Sequence, residues 1–349
     1  MKSNPSGGNV FYSTSWENLK NWVDQLSSAA RLIGPQWVES VILYRQVSSN
    51  REIAWVDKRP LLSPKDAFFP PTEQLFTIHQ EGSNLHIVET EPTGEQILFG
   101  IRPCDAHGLQ ALDALFIKSD PSDIYYQRRR KATTIIGMAC SEMTPSCFCT
   151  SVSGAPDDSR YVDLMLYNGD GNYSLAVINE KGADLLARFP LTLDPIDPEI
   201  AHELYNPPIS TGSSIHIPTL DDWPEHFRST IWDELSERCI GCRICAYVCP
   251  TCRCFDVRDQ TLPSDKEGML YERIRCCDSC TGDAYRRIAG GHNPRPDICQ
   301  RLRNRFYCKY YYYPTQYGPV ACTGCGRCID TCPVGVDIIE ALTYVAQPT

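Results

Sequence analysis

Apolar positions recur at helical spacing across residues 15–31 (SWENLKNWVDQLSSAAR), and Ser15 stands where an N-cap belongs. Two runs with strand patterning follow, VILYRQV and REIAWVD. LFTIHQEGSNLHIVET alternates on both sides of Gly82-Ser83-Asn84, which predicts a hairpin. In EQILFGIRPCDAHGLQALDALFI a buried-strand pattern gives way to a turn and then to an amphipathic helix. A polar helix ending at RRRK leads into another short apolar strand, TTIIGMAC, and YVDLMLYNGDGNYSLAVIN reads as a hairpin turning at NGDGN. This mixture predicts an α/β or α+β domain over residues 1–222. From Pro195 to Trp223 the period fades into Pro, Asp, Ser and Thr, the composition of a linker or wrapping segment. The helix STIWDELSER then opens a second domain, 223–349, organised by cysteine rather than by hydrophobic period.

Composition changes the picture at one residue type. The 349-residue chain is 42% hydrophobic and 22% charged, as a globular protein with a real core should be, but it holds 19 cysteines. Disulfide scaffolds belong to oxidising compartments and mostly to small secreted domains. The N-terminal MKSNPSGGNVFYSTSWENLK has no apolar core of a secretory signal, and no stretch reaches the 18 or so apolar residues of a membrane span. The expectation is a reducing cytoplasm in which clustered cysteines are metal ligands. A formal charge of −10 argues against nucleic acid as a partner. The one basic block, Arg128-Arg129-Arg130-Lys131, reads as a solvated helix end.

Two runs of C-x2-C-x2-C-x3-C-P dominate the second domain: Cys239, Cys242, Cys245, Cys249 before Pro250, and Cys322, Cys325, Cys328, Cys332 before Pro333. Three thiolates at two-residue gaps present sulfur to three corners of a cubane. The fourth ligates the other cluster in two-cluster ferredoxins. The predicted assignment is therefore crossed. One [4Fe–4S] cluster takes Cys239, Cys242, Cys245 and Cys332; the other takes Cys322, Cys325, Cys328 and Cys249. Zinc also accepts C-x2-C pairs, but needs neither the third step nor the C-P ending. The expected fold here is ferredoxin-like with two clusters and a long insertion at about 252–318.

Four further cysteines precede this domain: Cys104 in IRPCDAHG, and Cys140, Cys147 and Cys149 in MACSEMTPSCFC. Cys104 and Cys140 each follow a short apolar strand. If those strands are neighbours in one sheet, their C-terminal ends bring the thiols together, and four thiols suit a third iron–sulfur cluster of the [4Fe–4S] type. The competing reading is small buried thiols.

The insertion carries Cys252, Cys254, Cys276, Cys277, Cys280, Cys299 and Cys308, read as thiols in the apolar shell of a cluster or, alternatively, as a further metal site. It also carries Arg273, Arg275, Arg286, Arg287, Arg295, Arg301, Arg303 and Arg305, read as offsetting cluster charge or, alternatively, as receiving a partner's acidic patch. His292 in AGGHNPRP reads as a hydrogen-bonded structural histidine. No dinucleotide fingerprint, P-loop, zincin motif or nucleophile elbow occurs, so no residue is assigned a catalytic role.

IWDELSERCIGCRICAYVCPTCRCFDVRD, AGGHNPRP, RLRNRFYCK and CTGCGRCIDTCP, with RPCDAHGLQALD and the Cys140–Cys149 segment upstream, carry a family likeness over most of the chain. The sequence resembles the beta subunits of hydrogenase/sulfur reductase (sulfhydrogenase) and the related A subunits of anaerobic sulfite reductase. The resemblance implies an electron-transfer subunit of a hetero-oligomeric oxidoreductase of anaerobic metabolism. Such subunits work between a flavin-containing NAD(P)H-reactive subunit and a catalytic hydrogenase or reductase subunit, with no substrate chemistry of their own. The alternative is a reductase acting itself on sulfur, sulfite or a disulfide at the N-terminal iron–sulfur site.

Overall fold

The computed structural model describes residues 10–347 except 92–93, 170, 199, 201–211 and 264–267. The chain runs β1 (Val10–Ser15), α1 (Trp16–Ala29), β2 (Arg31–Val38), β3 (Val41–Gln46), β4 (Thr72–Glu81), β5 (Asn84–Glu89), β6 (Gln96–Ile101) and α2 (Pro103–Phe116). It continues with α3 (Ile124–Ala132), β7 (Thr133–Met138), β8 (Leu164–Asn168), β9 (Asn172–Val177), α4 (Glu180–Arg188) and β10 (Asp194–Ile196). The C-terminal part holds α5 (Ile231–Arg238), β11 (Phe255–Leu262), β12 (Met269–Cys277), α6 (Ile298–Tyr307) and α7 (Ile338–Val345).

Among the described residues, eight strands form one mixed sheet in the order β10-β1-β9-β8-β7-β6-β2-β3. Its centre, β2-β6-β7-β8, is parallel, and the flanks are antiparallel. Period-two alternation decides which side chains go where. Ile97 and Phe99 of β6 join Leu19, Trp22, Val23 and Leu26 of α1 and Leu185 and Leu186 of α4 on one face. Leu98 and Ile101 join Ala106, Leu109, Leu112 and Phe116 of α2 on the other. Leu98 and Ile101 share a face because the pairing with β7 slips at Gly100, whose φ of +69° makes a bulge. The bulge lies immediately before the turn that carries Cys104. Helix α1 starts where its sequence says: Asn18 N–H donates to Ser15 Oγ at 3.2 Å.

A second sheet has the order β11-β12-β4-β5. Here β12, from the insertion, pairs with β4, from the first 90 residues, through Thr72↔Cys276 to Gln80↔Met269. The expected division at 222/223 is thus crossed by a sheet, and the insertion is shared structure rather than a loop of the cluster region. Buried Arg275 of β12 ties the same junction, donating to Glu73 Oε2 from Nε at 3.0 Å and also reaching Asp123.

Three other expectations change. REIAWVD is not a strand: Asn50–Glu52 form a single 3-10 turn, capped by Ser49, and the chain then runs irregularly to the site. The RRRK block is not simply solvated, since Arg129 pairs with buried Glu73 and Arg130 with Asp113 at 3.3 Å. The segment from Pro195 begins inside β10, and much of it (199, 201–211) lies outside the described residues. Its described end wraps the Cys147 loop, with Ser213 N–H donating to Cys147 O at 2.7 Å. The third core, around Trp223, Trp232, Phe306, Tyr307 and Leu342, seats the cysteine runs between α5, α6 and α7. Among the described residues no helix is long and apolar enough to cross a membrane.

Candidate iron–sulfur sites

Helix α5 delivers Cys239 at its C-cap, and a tight loop follows into the helical turn Ile244–Tyr247. Gly241 and Arg243 both take the left-handed conformation, φ +69° and +66°, which turns the backbone back between the cysteines. Cys239, Cys242 and Cys245 line one pocket with Cys332 from the second run, walled by Leu302, Phe306 and Ile338. Val336 N–H donates to Cys332 Sγ at 3.2 Å. Cys328 reaches the same pocket, so the two runs meet there.

The second run repeats the loop with Gly324 at φ +61° and Gly326 at φ +73°, followed by the turn Arg327–Asp330. Cys322, Cys325 and Cys249 are buried. Cys249 is an electrostatic neighbour of both Cys322 and Cys328. Around these thiols the fold places buried cations. Lys309 Nζ donates to Cys249 Sγ at 3.2 Å and to Ala321 O at 2.9 Å. Arg305 donates to Cys245 O at 2.7 Å and to Cys252 Sγ at 3.4 Å, between the two runs. Cys249 is accordingly held well below the usual thiol range, first by a hydrogen bond from Cys252 and then, against burial, by Lys309 and Arg305. Thiolate is the ligating form, so these cations prepare the site for metal.

The third group assembles as the strand argument requires. β6 and β7 are parallel neighbours, and Cys104 and Cys140 lie just past their C-terminal ends. All four thiols, Cys104, Cys140, Cys147 and Cys149, line one cavity of about 250 Å3. Cys140 is pushed up to about 11 by burial, opposed by the Arg102 charge. Arg59 enters the same cavity, donating to Cys147 Sγ at 3.4 Å and to Asp330 at 2.5 Å. Cys325 and Gly324 of the second run also line it. The Cys104 thiol hydrogen-bonds to Cys325, which is drawn down to about 6, chiefly by that bond and, against burial, by Arg327 and Arg59.

Each of the twelve expected ligands therefore borders one of three adjoining groups. Among the described residues no set of three or more His, Cys, Asp or Glu side chains converges to hold a single ion. Cys239, Cys242, Cys245 and Cys332 line one pocket together, and Cys104, Cys140, Cys147 and Cys149 another, each set being the four thiols that a [4Fe–4S] cluster takes. The donor set fits.

Several residues the sequence reading passed over join the groups. Arg327, inside the second run, forms a buried bidentate pair with Asp105 (2.7 and 2.7 Å) next to Cys104. Lys65 donates to the carbonyls of Ala246, Cys249 and Cys252 at 3.3, 2.9 and 3.2 Å. A Cβ on Gly108 would meet Pro250 Cβ at 2.8 Å, so α2 lies directly on the C-P ending of the first run. The arginines of the insertion divide. Arg305 serves the runs; Arg275 makes buried ion pairs at the β4–β12 junction; Arg273 pairs with Asp259 at the surface; Arg301 holds carbonyls of its own loop. Arg303 lies 3.8 Å from the Phe227 ring, and Arg286, Arg287 and Arg295 border a separate cavity. The insertion thiols divide as well: Cys299 packs against the apolar core that seats the runs and Cys277 against the sheet core, Cys252 hydrogen-bonds to Cys249, and Cys254, Cys280 and Cys308 line that arginine-rich cavity. His292 is exposed at a turn, where its carbonyl accepts from Ile288 N–H at 3.0 Å.

Residues 238–336 match the 4Fe-4S dicluster domain family. The chain is 31% identical over 338 residues to sulfhydrogenase 2 subunit beta of Pyrococcus furiosus, covering 95% of this chain and 97% of that protein. No solved structure matches it. With a C-terminal dicluster domain on a mixed α/β fold and likeness along nearly its whole length, the chain belongs to the sulfhydrogenase beta-subunit family of iron–sulfur electron-transfer proteins.

Proposed function

We propose that this chain is the electron-relay subunit of a cytoplasmic hetero-oligomeric oxidoreductase, with three [4Fe–4S] stations. Cys239, Cys242, Cys245 and Cys332 hold the first. Cys322, Cys325, Cys328 and Cys249 hold the second, and Cys104, Cys140, Cys147 and Cys149 the third. Each cluster, when bound, takes up and returns one electron. The observation that carries the reading is the sharing of walls. Cys325 of the second group borders the third cavity, and Cys328 borders the first pocket.

The chain's own residues do the rest. Lys309, Arg305, Arg59 and Arg327 offset thiolate charge, and hydrogen bonds such as Val336 N–H to Cys332 Sγ favour the reduced state by stabilising negative sulfur. Burial excludes water from the second group. The first group faces outward: Cys242 is exposed, beside Ile240 (65% exposed) and Tyr247 (44%). We assign this face to one redox partner, a flavin/NAD(P)H-reactive subunit or a catalytic hydrogenase or reductase subunit.

Anaerobically prepared chain should hold about twelve irons. It should pass electrons from an artificial donor to an artificial acceptor without turning over sulfur, sulfite or a disulfide. A stable count near eight would remove the third station. Turnover of one of those substrates, lost on Cys140→Ser, would instead support a reductase site at the N-terminal cysteines. The subunits that copurify identify the reaction served.

A further inference from the structure

A second large cavity, of about 810 Å3, lies between β11, the loop after β12 and the Tyr312–Tyr317 turn, and belongs to none of the three thiol groups proposed as cluster sites. It is within the size range of small-molecule sites. Five arginines border it, 253, 258, 286, 287 and 295, against two carboxylates, Asp256 and Asp278. Arg258 is matched by Asp256 at 2.9 Å, and Arg287 pairs with Asp283 at 3.5 Å. Among the described residues, Arg253, Arg286 and Arg295 form no ion pair. Arg253 is half-buried, its guanidinium 3.6 Å from the Tyr313 ring centre and donating to Thr251 O and Cys308 Sγ. Its charged neighbour in the cavity is the Cys254 thiol, drawn down to about 6 chiefly by a hydrogen bond from Cys280 and, against burial, in part by Arg253 itself. Among the described residues Arg286 and Arg295 have no such counter-charge to offset them.

The proposed clusters do not supply that counter-charge directly. The cations foremost at Cys249, Cys322 and Cys328 are Lys309 and Arg305. Arg286 is moreover held at φ +68°, a left-handed conformation that strains a non-glycine residue. Tyr312 and Tyr317 line the same cavity, offering flat apolar faces with polar edges.

We propose that this cavity binds a phosphate-bearing aromatic molecule of the nucleotide class. Its phosphate is held by Arg253, Arg286 and Arg295, and its ring lies against the tyrosines. Arginine forks suit phosphate oxygens in pairs, and tyrosine faces suit a planar ring. The site stands independently of the cluster assignment. It is nevertheless close to it: Cys280 borders the cavity and neighbours Cys252, which hydrogen-bonds to Cys249.

The test is equilibrium dialysis of the full-length, iron-loaded chain under anaerobic conditions with three probes: AMP, FMN and inorganic phosphate. We expect AMP or FMN to bind saturably and on the order of tenfold tighter than inorganic phosphate. The probe preferred separates an adenine-type from a flavin-type occupant. Arg295→Gln and Arg253→Gln should each weaken binding by roughly tenfold, the loss of one charge-assisted hydrogen bond, with iron content unchanged. Among the described residues the Arg295 side chain makes no hydrogen bond or ion pair, so its variant keeps the test intact should Arg253→Gln fold poorly. Three results would overturn the proposal: no saturation by any probe up to about 1 mM, binding unchanged in both variants, or inorganic phosphate binding as tightly as the aromatics. Iron beyond twelve that is lost on Cys254→Ser or Cys280→Ser would likewise overturn it, assigning the thiols to a cluster.

Discussion

In the first cysteine loop, Gly241 and Arg243 take φ of +69° and +66°; in the second, Gly324 and Gly326 take +61° and +73°. The backbones match, but their neighbours do not. A Cβ on Gly241 would find Ile298 Cδ1 at 3.5 Å, ordinary contact, whereas one on Gly324 would strike the Phe148 carbonyl at 2.5 Å. At the next equivalent position the first loop carries a whole arginine. The second cannot, because a Cβ on Gly326 would meet Ser146 Oγ at 2.4 Å and Ser146 O at 2.6 Å. One loop is a surface port; its twin is a junction clamped against the Cys147–Cys149 segment. The same motif has been put to two uses by what packs on it.

The sharpest way to break that comparison is to add one methyl group to each loop. Gly324→Ala should cost at least about 3 kcal/mol, because backbone must move as well as strain be borne. Gly241→Ala should cost about 1 kcal/mol, the left-handed term alone. Thermal unfolding of the iron-loaded variants measures both, and equal losses would mean the two loops are equally free.

A contrast of similar size is expected for the arginines. Arg327→Met leaves Asp105 buried without its partner and should destabilise by about 3–5 kcal/mol. Arg243, paired loosely with Asp278 at 3.8 Å and Asp283 at 3.4 Å near the surface, should give at most about 1 kcal/mol as Arg243→Met. Denaturant titration at fixed iron content reads the difference, and a costly Arg243→Met would blur the distinction between port and junction.

The smallest effect is on potential rather than stability. Lys309→Met removes a cation donating to Cys249 Sγ, which disfavours the more negative, reduced cluster. The second cluster should fall by roughly 60 mV or more, one charge-assisted hydrogen bond for a one-electron couple, while the first holds its value. An EPR-monitored redox titration in which both clusters shifted equally would place Lys309 between them instead of at the second.

Much of this arrangement was legible in the chain, because its signals are local. Ser15 marked the start of α1, Gly82-Ser83-Asn84 the β4–β5 hairpin, and the apolar runs before Cys104 and Cys140 the two strands that prove to be parallel neighbours. What escaped is what distance along the chain conceals. Pairing of β12 with β4 joins residues about 200 positions apart, and its alternation is masked by charged residues on an exposed, two-sided sheet. Arg327 and Asp105 are likewise 222 residues apart, and each alone reads as an ordinary surface charge. Arg59 follows a stretch that looked like a strand yet forms an irregular approach to the third cavity.

The crossed use of the two runs is the centre of the account, and EPR of Cys249→Ser tests it most directly. Cys249 belongs to the first run in sequence but stands beside Cys322 and Cys328 of the second. The substitution should alter or abolish the signal of the buried cluster formed by the second run and leave the surface cluster of Cys239, Cys242 and Cys245 as in the parent. Loss of the surface cluster with the buried one intact would contradict the crossed assignment.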